Sequence, residues 1–299
     1  MSRRFSLLLF VQDAELYLDR VLASVFADAA KDFEVIAVNA GSDDHSQLVL
    51  EEWALEEPRL RVLPMIRCTE AEALNTAILT AQGTLLGFLH ARQVMVPGAW
   101  EQLRASSEGV EVVVHGQSNG KVPSLELLHQ RPPPAWGAWV SRKLALRCSA
   151  AFHSSTVADD LAFMFRCLIS TAAVRQCAKP FASSSHSSRE LPEVHTAADE
   201  LGRLFDEAAA WNLTADARER LLELVADEGV HLMGLAPNRA QRLVVLSHII
   251  NSLRASDSID AAVAMRRVAW RVARTRGARL RSAFRGIFNR GVDGAGTVG

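Results

Sequence analysis

The side chains best suited to chemistry fall in four short groups. Gln12-Asp13 follows one apolar run, Asn39-Ala40-Gly41-Ser42-Asp43-Asp44 a second, and His90-Ala91-Arg92 a third, while Asp159-Asp160 opens a helical pattern further on. Amide, carboxylate, imidazole and guanidinium groups hydrogen-bond hydroxyls, exchange protons and hold phosphate. Their spacing matches no self-sufficient motif. There is no Gly-x-x-x-x-Gly-Lys loop, no Gly-x-Gly-x-x-Gly, no His-Glu-x-x-His and no Gly-x-Ser-x-Gly. The nine histidines show no metal-ligand spacing. Cys68, Cys148, Cys167 and Cys177 form no Cys-x-x-Cys pair and read as buried thiols. Any chemistry therefore depends on the elements that bring separate segments together.

Those elements follow an α/β rhythm. Phe5 to Val11 is an apolar run suited to a strand buried on both faces. A helix follows, with Leu18, Leu22, Val25 and Phe26 on its apolar side. Phe33 to Val38 is a second buried strand, 46–57 a helix, Leu60 to Leu63 a third strand and 70–81 a helix stopped by Gly83. Thr84 to Leu89 is a fourth strand. This alternation predicts a mainly parallel sheet, which binds ligands at the carboxyl ends of its strands. Those ends are Asp13, Asn39 to Asp44, and His90 to Arg92. Further strands are expected over Val110 to His115 and near Trp136, with helix over Asp159 to Ser170 and a polar loop over Ser183 to Ser188. From Thr196 the pattern is helical only, with breaks near Asn212, Pro237 and Ser256, so a domain boundary is placed near residue 192. Thr214 is the expected N-cap of a helix with apolar Leu221, Leu222, Leu224, Val225, Leu232 and Met233. A second helical stripe is Leu243, Val244, Leu246, Ile249, Ile250 and Leu253; both stripes suit a bundle core or a homo-oligomer surface.

Composition narrows the class. Hydrophobic residues at 49% and charged residues at 22% describe a folded chain and exclude disorder for its bulk. No apolar run approaches the ~20 residues of a membrane span. The start, Met1 to Val11, lacks the length and cleavage site of a signal peptide, so a cytoplasmic location is expected. The net charge of −1 conceals an asymmetry: nine arginines lie between Arg266 and Arg290, making the stretch from 266 onward +8 and the rest −9. In that last helix Ala273, Gly277, Leu280, Phe284, Ile287 and Phe288 fall on one side. Arg267, Arg271, Arg274, Arg281 and Arg285 fall on an adjoining one. Such a helix suits an anionic surface at the inner face of the cell membrane. The alternatives are a solvated helix or one docked on the acidic remainder. Nucleic acid is the weaker candidate, because no recognition motif accompanies the arginines.

The phrase Lys31 to Ser46 resembles the strand and Asp-Asp-Gly-Ser-x-Asp loop of glycosyltransferase family 2. Ala73-Leu74-Asn75 resembles that family's Ala-Arg-Asn helix, Gly83 to Leu89 the strand leading to its Asp-x-Asp motif, and Pro97 to Trp100 the segment after it. Ala158-Asp159-Asp160-Leu161 is similar to its Glu-Asp-Leu motif. The likeness runs from about Phe5 to Ser188. It implies a GT-A-like (Rossmann-like) three-layer α/β/α domain with a mainly parallel mixed sheet over 1–192, followed by an α-helical region over 193–299. It also implies a nucleotide-sugar donor and a carbohydrate, cell-envelope or lipid-linked acceptor. By resemblance Asp160, with Asp159 beside it, is the acceptor base. Asn39, Asp43, Asp44 and Asp13 lie where the nucleotide binds. Capping and turn formation are the alternative for Asp43 and Asp44, and helix capping for Asp160.

The sequence departs from the family where the Asp-x-Asp motif belongs. His90-Ala91-Arg92 offers no side-chain oxygen to the Mg²⁺ or Mn²⁺ that usually meets the diphosphate. Three readings stay open: Arg92 replaces the metal by bidentate binding of phosphate, His90 serves a changed metal site, or the donor site is dead. No cofactor is assigned, with Mg²⁺ or Mn²⁺ left as the alternative. The stretch Phe181 to His186 keeps a single aromatic, which weakens the family's acceptor contacts. Trp136 and Trp139 offer faces for stacking on a sugar, with core or rim packing as the alternative. The expected activity is sugar transfer, and the alternative is an inactive scaffold with the same fold.

Overall fold

The computed structural model describes residues 4–28, 30–116, 119–129, 135–148, 151–152, 157–184, 201, 204–206, 208, 211, 213–235, 238–256 and 259–275. Two compact units divide at Arg189 and Glu190. The boundary near 192, the basic stretch 276–290 and positions 185–188 of the polar loop lie outside the described residues.

In the first unit β1 (Phe5–Val11) is central, pairing in parallel with β2 (Phe33–Asn39) on one side and β4 (Leu85–His90) on the other. β3 (Leu60–Pro64) extends the parallel set beyond β2. The other half holds β6 (Val112–His115), β7 (Gly120–Val122), β8 (Ala138–Ser141) and β9 (Val174–Cys177). The sheet order is β3-β2-β1-β4-β8-β6-β9-β7, with β8 antiparallel to both neighbours. β5 (Gln93–Met95) and β10 (Ala182–Ser184) form a separate antiparallel ribbon. The sequence reading placed 183 and 184 in a loop. Ala-Ser-Ser has no strand preference of its own, and pairing with β5 decides its conformation.

All residues of β1 and β2 are buried, because both faces of the sheet are covered. Phe5, Leu7, Leu9 and Val11 share one core with Leu18, Val21, Leu22 and Val25 of α1 (Glu15–Phe26). Leu50 of α2 (Ser46–Glu56), and Trp100 and Leu103 of α4 (Ala99–Ser106), join it. α3 (Glu70–Thr80) and α7 (Val157–Ile169) supply the opposite layer, where Phe88 meets Phe163 and Phe152 edge-on. The short α5 (Ser124–His129) and α6 (Arg142–Arg147) complete the unit's described helices. The result is the expected three-layer α/β/α architecture.

Two polar side chains inside this sheet answer one another. Ser6 and Glu34 are fully buried; Ser6 Oγ and the Gln82 amide both donate to Glu34 Oε1 at 2.7 Å, and Arg61 lies 3.3 Å from Oε2. Ser6 Oγ accepts from the Gly83 amide at 2.8 Å. Gly83 is therefore not the helix stop the sequence suggested. α3 ends at Thr80, and Ala81 is already extended. A Cβ on Gly83 would stand 2.6 Å from the backbone of Phe5 and Ser6, so the glycine permits close approach to β1.

The second unit contains α8 (Ala215–Leu235), α9 (Arg239–Ala255) and α10 (Ile259–Thr275). Thr214 Oγ1 accepts from Ala217 N at 3.2 Å and caps α8 as read from sequence. The apolar stripe of α8 is buried within the unit, and Gly229 lets α8 approach Val268 of α10. Val244 is 55% exposed, and its neighbour Val245 takes the core position instead. Arg267 pairs with Glu219 and Arg271 with Asp227, so these two arginines dock α10 on acidic α8. No described helix is long and apolar enough to cross a membrane.

Candidate functional site

The carboxyl ends of β1, β2 and β4 hold the polar groups singled out from the sequence. After β1, Asp13 adopts φ 46°, in the left-handed region that aspartate tolerates better than most residues. Its Oδ1 accepts from Asp43 N at 2.9 Å, and its own amide donates to Ser42 Oγ at 3.1 Å. These bonds hold the loops after β1 and β2 together. Gly41, at φ +79°, brings the second loop against Arg67, where a Cβ would lie 2.6 Å from the Arg67 amide nitrogen.

Asn39 and Asp44 organise this loop. Asn39 is 5% exposed; its Oδ1 accepts from Ser42 N and Ser42 Oγ, and its Nδ2 donates to Gln47 Oε1 at 2.8 Å. Asp44 Oδ2 accepts from Glu15 N at 2.9 Å at the start of α1, and its Oδ1 from Ser46 N at 2.9 Å at the start of α2. Ser46 Oγ also donates to Asp44 and accepts from Ala14 N at 2.9 Å. One carboxylate thus serves two helix N-termini, since Ala14 has no side chain able to cap α1. Burial works to raise the Asp44 pKa, but the hydrogen bonds from Ser46 and the Glu15 and Ser46 amides outweigh it and hold the carboxyl below its ordinary range. For Asp44 the geometry is that of the capping and turn-forming alternative: its carboxylate meets the first amide of each helix, although the N-cap residues are Ala14 and His45. Asp43 instead extends into solvent and pairs with equally exposed Arg67 at 2.7 Å.

At the end of β4 the His90 ring lies between Phe10, at 5.5 Å, and Trp136, edge-on at 5.8 Å. Ala91 is fully buried, whereas Arg92 is exposed and its guanidinium stands over the Tyr17 ring at 5.4 Å. Trp136 is partly exposed, in the turn before β8. Trp139 is not at the site: it is 2% exposed, packs against Phe5 and Trp100, and lies flat on Gly87, whose absent Cβ would be 2.6 Å from the ring. Its strand position points it into the core, which corrects its assignment as an acceptor platform. Asp159 and Asp160 sit in the first turn of α7, which begins at Val157, so Asp160 is not the N-cap. Their side chains lie outside the described residues. Asn75 reaches the segment before that helix, donating to Phe152 O at 2.7 Å and accepting from Phe152 N at 2.9 Å.

Sequence reasoning overlooked Arg67 and Gln47, and it assigned no separate role to Ser42 and Ser46. The rule that ligands meet strand ends, applied to β3 as well, would have reached Met65 to Cys68. The divalent cation usual in the resembled family does not fit residues 90–92. They present no side-chain oxygen, the middle one is buried, and Arg92 adds a positive charge. Among the described residues no group of three or more His, Cys, Asp or Glu is arranged to hold a metal ion.

Comparison with known proteins agrees with this architecture. Residues 6–147 match the family Glycosyl transferase family 2. A curated relative, the uncharacterized glycosyltransferase EpsJ of Bacillus subtilis, is 25% identical over 111 residues, which span 37% of this chain and about a third of that protein (32%). Among solved structures, S. aureus TarS 1-349 in complex with UDP-GlcNAc superposes with a TM-score of 0.71 at 14% identity, covering 87% of this chain and 83% of the other. The mannosyltransferase PcManGT from Pyrobaculum calidifontis, solved with GDP-Man and Mn2+, gives 0.57 at 16% identity, covering 88% and 78%. Glucosyl-3-phosphoglycerate synthase from Mycobacterium tuberculosis gives 0.52 at 18% identity, covering 69% and 80%. The α/β unit is a glycosyltransferase-like domain of the GT-A fold. Over residues 6–147 it is similar to glycosyl transferase family 2, without that family's Asp-x-Asp motif.

Proposed function

We propose that the chain takes a nucleotide-diphosphate sugar at the ends of β1, β2 and β4 and transfers the sugar to a hydroxyl of a carbohydrate or lipid-linked cell-envelope acceptor. The observation that carries this reading is Arg92. It stands at the position of the missing metal motif as an exposed cation braced on Tyr17. A guanidinium there binds the diphosphate in bidentate fashion and offsets the charge that builds on it as the sugar leaves. On this reading Asp13, Asp43 and His90 meet the nucleotide, and Trp136 stacks on the acceptor sugar. The acceptor oxygen attacks the anomeric carbon as the bond to the diphosphate breaks, and Asp160 takes the acceptor's proton. The nucleoside diphosphate departs with the bonding electrons.

A second reading, a binding module that has lost the chemistry, is favoured by the structural use of Asn39 and Asp44, whose polar atoms are engaged within the loop. A thermal-shift panel of UDP, GDP, UDP-GlcNAc and GDP-mannose, with Mg²⁺, with Mn²⁺ and with chelator, tests both. A ligand at a hundred times its Kd stabilises by ~2.7 kcal/mol. A shift that persists in chelator supports the donor site, and no shift with any nucleotide refutes it.

A further inference from the structure

We propose that the outward face of α10 rests on an anionic lipid surface. The observations lie in the helical unit and are independent of the donor site. α10 carries two kinds of arginine. Arg267 and Arg271 are turned toward α8 and are matched there by Glu219 and Asp227. Arg266 lies on the other side of the helix, together with Ile259, 83% exposed, and Trp270, 60% exposed. Ile259, Arg266 and Trp270 are spaced i, i+7 and i+11, which places them on one stripe. Ala261, Ala264, Val268 and Val272 on the opposite side are buried in the unit. The helix therefore has its core face filled and Arg267 and Arg271 matched, and still presents an aliphatic side chain, a cation and an indole outward.

That combination fits one partner chemistry. An indole and an aliphatic group enter the boundary between headgroup and acyl chain, and an arginine meets the phosphate beside them. The sequence that continues from α10 holds Arg276, Arg279, Arg281, Arg285 and Arg290 with no acidic residue among them, and 266–299 totals +8. This charge complements an anionic bilayer and not a neutral one. A nucleic acid would match the arginines but leave Ile259 without a partner.

The test is co-sedimentation of the full chain with vesicles of phosphatidylcholine, alone or mixed with phosphatidylserine. Binding is expected only with the anionic mixture and should fall as salt rises. Arg266→Gln should weaken it about fivefold. The double variant Ile259→Ser, Trp270→Ala should weaken it about tenfold or more. Both changes are at exposed positions, and helical circular dichroism with unchanged melting would verify the fold. Equal binding to neutral vesicles would overturn the proposal. So would wild-type affinity in both α10 variants while arginine-to-glutamine changes over 276–290 abolish binding, since the tail alone would then be the contact. Tighter binding to a single-stranded RNA homopolymer than to anionic vesicles would also overturn it.

Discussion

Replacing Asp44 by alanine separates the loop's architecture from any ligand it binds. The carboxylate accepts from Glu15 N and Ser46 N, each at 2.9 Å, and from the buried Ser46 hydroxyl. It caps α1 and α2 together. One N-cap contributes about 1 kcal/mol, so Asp44→Ala should cost ~2 kcal/mol, with the stranded Ser46 hydroxyl adding to it. For a unit of this size that is a drop of roughly 4–8 °C in Tm. Asp44→Asn keeps one acceptor oxygen and should lose about half as much. Because the native pKa is lowered, the ionised carboxylate's contribution is complete above the ordinary aspartate value of 3.8 and is lost as pH falls through the lower native value. The gap between wild type and Asp44→Ala should therefore hold from neutral pH down to about that value and narrow below it. Urea unfolding at a series of pH values reads both effects. A loss under about 0.5 kcal/mol, or Asn as damaging as Ala, would refute the double-cap account.

Three further substitutions probe other parts of the account. Gly87→Ala should cost ~1–3 kcal/mol in urea unfolding, because its Cβ meets the Trp139 ring at 2.6 Å, and adding Trp139→Leu should recover part of the loss. Glu34→Ala strands the Ser6 hydroxyl and the Gln82 amide and should cost about 3 kcal/mol, whereas Glu34→Gln, which keeps an acceptor, should cost less. Asp160→Asn should reduce transfer of labelled sugar by at least about a hundredfold while donor affinity stays within twofold; a matching loss of donor affinity would remove Asp160 from the role of base.

The sheet's parallel core was legible because strands covered on both faces must read as continuous apolar runs, as Phe5 to Val11 and Phe33 to Val38 do. The β5–β10 ribbon was not, since its pairing is long-range and Ala182 to Ser184 has no strand character. Within the site, the strand ends were legible from topology. The division of labour between Asp43 and Asp44 was not. It depends on which carboxylate the Glu15 amide meets, 29 residues away. Trp136 and Trp139 are three residues apart and look alike in sequence; one turn before β8 puts the first beside His90 and the second against Gly87. The basic last helix read as a surface element, but its pairing with Glu219 and Asp227 required knowing that α8 is its neighbour.

The central claim is that Arg92 takes the place of a metal at the donor diphosphate. Its most direct test is calorimetric titration of nucleoside diphosphates and their sugars, in chelator, into wild type, Arg92→Ala and Arg92→Lys. A charged, bidentate contact is worth ~1.5–3 kcal/mol, so Arg92→Ala should weaken binding about ten- to a hundredfold, with lysine restoring part of it. Binding that appears only with Mg²⁺ or Mn²⁺, or that is equal in all three proteins, would contradict the claim.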